Sequence, residues 1–295
     1  MYKKYFGSRG IVITSPDRIF FSKPRITKEQ VIEYYAQVAP FLLPYTKNRL
    51  LVMRRFPEGI THEGFFHKDA PDYFPAWIPR VEVERQEKGG FVHYAVCNSV
   101  STLVYLANIA CLELHVSLSK VDKLVCPDQL IFDLDPSQDN DFDSVKKIAL
   151  LLKEQLELVA LVPFIKLTGS RGLHVVVPLR RSEKVSFDQA RLFATHIADR
   201  VIQQVPQMAT REIRKKERKG RVFIDTLRNG FGATAVAAYA IRALPGAPVA
   251  APLLWEELGD RQLSAQKYTI NTIFKRLDAL GDVWEKMAAS ARRLP

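Results

Sequence analysis

Hydrophobic positions along the chain recur with two spacings, which predict interleaved helices and strands. Val31, Tyr35 and Val38 follow the spacing of one helix face, and Thr27 precedes them as a capping residue. Helices are predicted over 27–45, 99–109, 141–158, 187–205 and 265–287. Short apolar runs next to turn residues predict strands at 50–53, 129–134, 163–167, 173–179 and 222–224. Residues 56–66 contain Pro and Gly and are predicted as a loop.

The strands at 163–167 and 173–179 are separated only by the turn 168–172 (TGSRG), which predicts a hairpin. Strands joined by helices favour a parallel sheet, whereas a hairpin requires antiparallel neighbours. The expected fold class is therefore α/β with mixed α+β character rather than a purely parallel sheet. No repeat or low-complexity linker marks a boundary, and we expect residues 1–295 to form a single domain.

The charge balance points to a polyanionic partner. Lys and Arg number 43 against 32 Asp and Glu, a net charge of +11, which favours nucleic acid or an anionic membrane surface. No apolar run approaches the roughly 20 residues that cross a bilayer, and no secretory signal is visible. The three cysteines lack C-x-x-C spacing and are expected to be buried free thiols in a reducing cytosol. We therefore expect a basic cytoplasmic protein that binds no membrane.

Two aspartates on one predicted strand carry the strongest chemical signal. Asp133 and Asp135 are two residues apart, so they share a face of the strand while Leu134 turns into the core. Adjacent carboxylates repel each other, and a shared divalent cation relieves this repulsion. Three interpretations remain open at this point. The pair is an exposed strand end without function, a phosphatase nucleophile motif in which Pro136 replaces the usual Gly-Thr, or a metal pair for phosphoryl transfer.

A third acid at the end of another predicted strand favours the metal pair. Asp225 directly follows the apolar run 222–224. Three carboxylates on adjacent strands can hold two divalent ions, which bind the attacking and leaving oxygens of a phosphoryl transfer. Taken alone, Asp225 could equally cap the turn that follows it.

The turn 168–172 has the composition of a phosphate-binding loop. Its two glycines, two hydroxyls and one Arg can surround phosphate oxygens with backbone N–H groups, and His174 follows on the outgoing strand. It is not a Walker A loop, because G-x-x-x-x-G-K-[ST] does not occur. A purely structural turn remains the alternative.

Two further segments are candidates for contact with nucleic acid. Residues 211–221 carry seven basic and two acidic side chains, so they form either a solvated surface or one that follows a phosphate backbone. Phe65 and Phe66 are adjacent aromatics beside His67 and Lys68. At least one of the two rings is expected to be exposed, where it could stack on a base.

In their order along the chain, these motifs resemble the polymerase domain of bacterial ligase D, of the archaeo-eukaryotic primase superfamily. The likeness runs from about residue 10 to 260 and includes DLD at 133–135, D-x-x-RNG at 225–230, SPDR at 15–18, FFHKDAP at 65–71, ELH at 113–115, GATAVAAY at 232–239 and R-A-x-P-G-A-P at 242–248. The resemblance implies a primase-like catalytic core with a central mixed or antiparallel sheet flanked by helices.

The resemblance also implies roles for individual residues. The catalytic, metal-binding acids would be Asp133, Asp135 and Asp225. The phosphates and sugar of the incoming nucleotide would be bound by His115, Thr168, Ser170, Arg171, His174, Arg228, Thr234 and Arg242. The DNA would be contacted by Arg18, Lys28, Phe65, Phe66 and Lys68, and the first two match positions that hold a 5′-phosphate at a gap or break.

By the same resemblance, the protein would be a nucleotidyltransferase of the bacterial cytosol and nucleoid. It would extend a primer 3′-hydroxyl with NTPs or dNTPs, using two divalent ions (Mn²⁺ or Mg²⁺), in gap or end filling during non-homologous end joining. Ku and a separate ATP-dependent DNA ligase would be its partners, because no K-x-D-G ligase motif occurs and neither a ligase nor a phosphoesterase domain is expected. Arg171 stands where the family often has Lys, so a planar guanidinium with several donors replaces a compact ammonium.

Other functions remain possible on the same residues. Primase-like synthesis without a primer would use the same active site. A non-catalytic DNA-binding module is disfavoured by the clustered acids, since phosphate binding does not call for them. A metal-dependent nuclease would share the carboxylates, but His174 and Arg242 favour a triphosphate ligand.

Overall fold

The computed structural model of the protein describes residues 1–85, 89–137 and 142–295. In these ranges the helices are α1 (Lys28–Thr46), α2 (Val100–Asn108), α3 (Phe142–Glu157), α4 (Phe187–Gln204) and α5 (Ile273–Leu280). The strands are β1 (Tyr2–Phe6), β2 (Arg9–Ile13), β3 (Ile19–Phe21), β4 (Ile26–Thr27), β5 (Leu51–Arg55), β6 (Phe65–His67), β7 (Arg80–Glu84), β8 (Phe91–Ala95), β9 (Cys111–Ser117), β10 (Gln129–Asp135), β11 (Phe164–Leu167), β12 (Leu173–Pro178), β13 (Ala209–Thr210), β14 (Val222–Asp225), β15 (Thr234–Val236) and β16 (Pro252–Leu253). None of the described helices has the length and apolar character required to cross a membrane.

Most predicted helices and strands are present within two residues of their expected ends. The capping prediction is confirmed, because the Thr27 hydroxyl accepts a hydrogen bond from the Gln30 N–H at 3.3 Å. The Gln30 side chain in turn accepts one from the Thr27 N–H at 2.8 Å, which completes a capping box. Asp141, the expected first residue of the third helix, lies outside the described residues.

The loop prediction for 56–66 is wrong at its end. Phe65 and Phe66 belong to β6, which pairs with β5 so that they lie opposite Arg55 and Arg54. Each guanidinium lies over the facing ring, 5.6 Å from the Phe65 centroid and 5.5 Å from that of Phe66. Aromatic side chains favour such paired strand positions, and the Gly and Pro residues of the segment precede them.

The C-terminal helix is shorter than predicted, since α5 covers only part of 265–287. Before it, the Thr272 hydroxyl accepts from the Thr269 N–H at 2.9 Å, and the Thr269 hydroxyl accepts from the Asn271 N–H at 3.3 Å. These local bonds satisfy backbone groups without a helix. The helix ends at Leu280, and Gly281 directly after it has the left-handed φ of +65° common at this position.

The described residues divide into two compact units. The first comprises Met1–Ser117, Thr234–Val249 and Thr269–Thr272, and the second Leu118–Ala233, Ala250–Tyr268 and Ile273–Pro295. In the first unit an antiparallel sheet has the order β15-β9-β5-β6. In the second unit a larger sheet has the order β13-β14-β10-β12-β11-β16, with only the β13–β14 pair parallel. The mixed α/β fold class predicted from the sequence is confirmed.

Helix α3 shows how the second unit buries its apolar residues. Val145, Ile148 and Leu152 recur at helical spacing and are fully buried, and α3 contacts β10 and β12. Burial of each such side chain contributes about 1.5–3 kcal/mol to the stability of the fold. This packing fixes α3 against the sheet that carries the acids. The expectation for the thiols is also confirmed, since the buried free cysteines are Cys97, Cys111 and Cys126.

Candidate active site

A row of polar residues crosses the sheet of the second unit. Asp225, Asp133, His174 and Lys166 lie opposite one another on β14, β10, β12 and β11. Directly opposed residues of antiparallel strands share a face, so these four side chains share one face of the sheet. The next row along the strands is apolar and consists of Ile224, Leu134, Leu173 and Leu167. The period-two alternation of each strand thus places the polar groups together and the leucines in the core.

Asp133 is the centre of this row and is only 8% exposed. Its Oδ1 lies 3.4 Å from Nε2 of His174, and its Oδ2 lies 3.4 Å from Nε of Arg228. The same Arg228 nitrogen is 3.5 Å from Oδ2 of Asp225. A half-exposed guanidinium therefore bridges the carboxylates of two neighbouring strands.

The pKa values of the other two acids are raised above their ordinary range. For Asp135 the main cause is burial, followed by the charge of Asp133. For Asp225 burial is again the largest cause; a hydrogen bond from the Leu227 N–H opposes it, and the charge of Asp133 adds to it. Buried carboxylates that repel one another gain from an added cation.

Carboxylate oxygens are ligands that Mg²⁺ and Mn²⁺ prefer, so the donor set and the raised pKa values fit a divalent cation. In the described part of the chain, no three His, Cys, Asp or Glu side chains converge as a ready metal site. Arg228 lies between two of the acids.

Thr168 organises the glycine-rich turn beside the acids. Its hydroxyl accepts from the N–H groups of Ser170 and Gly172, both at 3.2 Å, and donates to the Gly172 carbonyl at 3.0 Å. Gly169 has a φ of +68°, a left-handed conformation that glycine adopts without strain. The turn is therefore a preformed structure, and Arg171 extends from it to within 3.9 Å of Oδ1 of Asp135.

Gly172 lets this turn approach the acid-bearing strand closely. A Cβ at this position would lie 1.7 Å from the carbonyl oxygen of Leu134, between Asp133 and Asp135. No side chain fits at that distance, so the glycine sets the spacing between the turn and β10.

Asn229 is a positioning residue that the sequence reasoning missed as a site residue. Its Nδ2 donates to the Ile131 carbonyl at 2.7 Å, and its Oδ1 accepts from the Ile131 N–H at 2.8 Å. Nδ2 also lies 3.0 Å from the Thr226 carbonyl. The segment with Asp225 and Arg228 is thereby fastened to β10. The sequence contains Asn229 in the matched motif, but nothing local in it shows a pairing with Ile131.

An Asn229→Ala variant is expected to lose about 2–4 kcal/mol of unfolding free energy, because it strands the buried N–H and C=O groups of Ile131. Urea unfolding followed by circular dichroism measures this. The matched control is Asn271→Ala at an exposed position, which should stay within about 0.5 kcal/mol of the parent protein. A loss below about 1 kcal/mol in Asn229→Ala would show that the clamp is unimportant.

A second cluster lies in the first unit, around Glu113 of β9. Its Oε2 is 2.9 Å from Nε2 of His115. Its Oε1 accepts from Nη1 of Arg54 at 3.3 Å and from the Ala243 N–H at 3.0 Å, and lies 3.3 Å from Nε of Arg242. Two predicted nucleotide-binding residues, His115 and Arg242, are thus brought together by an acid that the sequence reasoning did not select.

Glu113 remains ionised despite being only 1% exposed. Burial acts to raise its pKa, but the hydrogen bond from His115 and the charges of Arg242 and His115 outweigh burial and lower the pKa to about 2. The carboxylate is therefore negatively charged at neutral pH, and it attracts the cations around it.

The remaining predicted residues lie at several places in the first unit. Phe65 and Phe66 are exposed at 46% and 61%, which confirms the expected exposure, and Phe66 packs edge-on against His115 with centroids 5.7 Å apart. Lys68 is exposed after β6. Thr234 begins β15 opposite Ser117 and is half-buried.

Lys28 and Arg18 are neighbours in the first unit. The Lys28 N–H donates to the Arg18 carbonyl at 2.8 Å, and its Nζ donates to the Thr14 hydroxyl at 3.0 Å. Lys28 is 5% exposed. Burial, and secondarily the charge of Arg18, lowers its pKa to about 8. The Arg18 guanidinium pairs with Glu58 at 3.2 Å and donates to the Pro57 carbonyl at 2.6 Å, so Lys28 is a buried cation next to an ion-paired one.

The basic segment 211–221 is only partly a free charged surface. Arg211 forms a two-pronged ion pair with Asp199 at 2.7 and 3.1 Å. Arg218 is buried over the Phe223 ring, 4.0 Å from its centroid, and bonds to backbone carbonyls of its own segment. The exposed cations that remain are Arg214, Lys215, Lys216 and Lys219.

Carboxylates that hold two divalent ions are one arrangement by which proteins transfer phosphoryl groups. Residues 27–284 match the family described as LigD, primase-polymerase domain. The chain belongs to this family, a class of nucleotidyltransferases, as the resemblance implied.

Known relatives extend the match over nearly the whole chain. It is 33% identical to the bifunctional non-homologous end joining protein LigD of Bacillus subtilis over 91% of this chain and 42% of that protein. It is 30% identical to the multifunctional protein LigD of Mycolicibacterium smegmatis over 95% of this chain and 36% of that one. The chain thus spans about two fifths of these relatives. The solved polymerase domain of Mycobacterium tuberculosis ligase D in complex with DNA has a TM-score of 0.88, with 28% identity, 95% of this chain and 99% of that chain covered.

Proposed function

We propose that this chain extends the 3′-hydroxyl of a DNA primer with nucleoside triphosphates, in gap or end filling during repair of double-strand breaks. The observation that carries the proposal is the row of Asp225, Asp133 and His174 beside the preformed turn 168–172. The DNA complex of the similar ligase D polymerase domain supports DNA as the substrate. We propose that the two units act as a single polymerase domain in the bacterial cytosol, with Ku and a separate DNA ligase as partners.

The acids of the second unit would hold two divalent ions, Mn²⁺ or Mg²⁺, through Asp133, Asp135 and Asp225. When bound, such ions lower the pKa of the attacking hydroxyl and neutralise charge on the transferred phosphate and the leaving pyrophosphate. His174, whose Nε2 lies 3.4 Å from Oδ1 of Asp133, is proposed to bind the phosphates of the nucleotide. Arg171 and Arg228 are half-exposed cations beside the acids, so they are placed to bind triphosphate oxygens.

The first unit would bind the nucleotide and the DNA. In the first unit His115, Thr234 and Arg242 are proposed as nucleotide ligands; in the second unit Thr168 and Ser170 of the turn are proposed as nucleotide ligands. Exposed Phe65 and Phe66 provide rings on which bases can stack. Arg18, Lys28 and Lys68 are proposed to bind DNA phosphates, the first two at a 5′-phosphate.

The proposed 5′-phosphate site at Arg18 and Lys28 predicts a pH dependence. The pKa of Lys28 is about 8, so its ammonium is charged below this pH and loses the charge as the pH rises through it. We expect the preference for a gap with a 5′-phosphate over one with a 5′-hydroxyl to fall between about pH 7 and 9.5. Fluorescence anisotropy with the two gapped DNAs measures the ratio. In Lys28→Met the ratio should be small and independent of pH, and a constant ratio in the parent protein would contradict the assignment.

One assay separates the proposed polymerase from the other candidate functions. A primer labelled at its 5′ end is annealed to a template, and Mn²⁺ and single nucleotides are added. Lengthening of the primer that depends on the nucleotide supports the proposal, whereas shortening without nucleotide identifies a nuclease. DNA binding without either change identifies a binding module, and products from an unprimed template identify primase activity.

A further inference from the structure

Glu113 joins two of the residues of the first unit that are proposed to bind the nucleotide, His115 and Arg242. It lies on β9, two residues before His115 and on the same face of the strand. Its Oε1 contacts Arg242 and its Oε2 contacts His115. These two residues are 127 positions apart in the chain. A single buried side chain thus fixes the relative position of both groups.

The segment that carries Arg242 is fastened to β9 at two points. The Glu113 carboxylate accepts from the Ala243 N–H at 3.0 Å. The Tyr35 hydroxyl donates to the Leu112 carbonyl at 2.6 Å and accepts from the Ile241 N–H at 3.1 Å. Glu113 therefore holds the backbone after Arg242 as well as its guanidinium.

The carboxylate also selects the state of the His115 ring. An ionised carboxylate accepts hydrogen bonds and cannot donate, so Nε2 of His115 must carry a proton. The ring edge packs against Phe66. Arg54, the other guanidinium on Glu113, lies over the same Phe66 ring at 5.5 Å.

The charges around Glu113 make the direction of the change in triphosphate affinity informative when this carboxylate is removed. One carboxylate faces two guanidiniums, so the cluster keeps a positive excess that attracts phosphate. On charge alone, removing the carboxylate would strengthen the attraction for a triphosphate. If the carboxylate orients the cations and the ring, its removal has the opposite effect.

We propose that Glu113 is a positioning residue for nucleotide binding, which sets the proton on Nε2 of His115 and the placement of Arg242. This inference rests on the proposed function, because it takes these two residues as nucleotide ligands. Its chemical ligand is a nucleoside triphosphate, bound as an anion by Arg242 and through the imidazole of His115.

The test compares Glu113→Gln with the parent protein in binding of a nucleoside triphosphate, measured by isothermal titration calorimetry. The amide keeps the size of the side chain but removes the charge and presents N–H donors. We expect affinity to fall by about ten- to a hundredfold, as for other residues that orient a ligating group. Equal or tighter binding by Glu113→Gln overturns the proposal.

The matched control is Glu257→Gln in the second unit. Glu257 also pairs with a buried arginine, Arg276, and accepts from the Leu254 N–H at 2.7 Å. Within the described residues, its ion pair and hydrogen bonds reach Arg276, Leu254 and Tyr268, and none of these is a predicted site residue. The control should bind nucleotide as the parent does, and an equal loss in both variants overturns the proposal in favour of general destabilisation.

A measurement on the parent protein decides the case if Glu113→Gln does not fold. Nitrogen NMR of the histidine-labelled protein, with the His115 signal assigned by its absence in His115→Gln, reports which ring nitrogen is protonated. A proton on Nε2 supports the proposal, and a proton on Nδ1 alone overturns it. Failure of the proposed function gives a different result, since the parent protein itself would then neither bind nor incorporate nucleotide, and the inference would fall with it.

Discussion

Asp225→Asn is expected to lower the rate of nucleotide incorporation by about 10³-fold or more while the protein remains folded. Asparagine has the size of aspartate and still offers an oxygen to the Leu227 N–H, which now donates to Oδ1 at 2.8 Å. It removes the charge that a divalent ion would bind. Single-turnover primer extension with Mn²⁺ measures the effect.

The same variant should be as stable as the parent protein or more stable when no divalent ion is present. The pKa of Asp225 is raised, chiefly by burial, so stability is lost as the pH rises through the folded-state pKa. The neutral amide avoids this loss at neutral pH. Thermal unfolding checks it, with exposed Asp278→Asn as the control. If Asp225→Asn incorporated nucleotide within about tenfold of the parent rate, the assignment of Asp225 as a metal-binding acid would be contradicted.

Gly172→Ala is expected to reduce activity by about 10²-fold, because displacement of a catalytic group by about 1 Å is enough for such a loss. The added Cβ would meet the Leu134 carbonyl at 1.7 Å, well inside van der Waals contact. Either the turn or β10 must move, and β10 carries Asp133 and Asp135. The strain should also lower the unfolding free energy by about 1–3 kcal/mol.

Gly259→Ala is the matched control for this prediction. A Cβ at Gly259 meets nothing within 4 Å, and its φ does not lie in the left-handed region. Activity and stability should therefore stay close to those of the parent protein. If Gly172→Ala behaved like this control, the close approach of the turn to β10 would not matter for the site.

Local features of the sequence predicted much of this fold. The Thr27 cap and the apolar spacing after it fix the start of α1, and the period-two pattern puts Asp133 and Asp135 on one face. The turn 168–172 was predictable because its glycines and hydroxyls meet the needs of a tight turn. These features depend only on neighbours in the sequence, so their physical cause is visible there.

Pairings between distant segments could not be predicted from such patterns. The alignment of Asp225 with Asp133 depends on the register of β14 against β10, whereas the strand pattern alone left Asp225 equally able to cap the turn that follows it. The Asn229 clamp on Ile131 and the carboxylate of Glu113 between His115 and Arg242 depend on the same kind of long-range contact. A residue that positions another residue through a long-range contact produces no recognisable pattern in the neighbouring sequence.

The proposed function requires Asp133, Asp135 and Asp225 for nucleotide transfer. Its most direct test is extension of a labelled primer across a short gap with a 5′-phosphate, in Mn²⁺, with each ribo- and deoxyribonucleotide separately. The parent protein should add nucleotides, and the Asp133→Ala/Asp135→Ala double variant should bind the DNA without extending it. Normal extension by the double variant, or no extension by the parent protein, would contradict the claim.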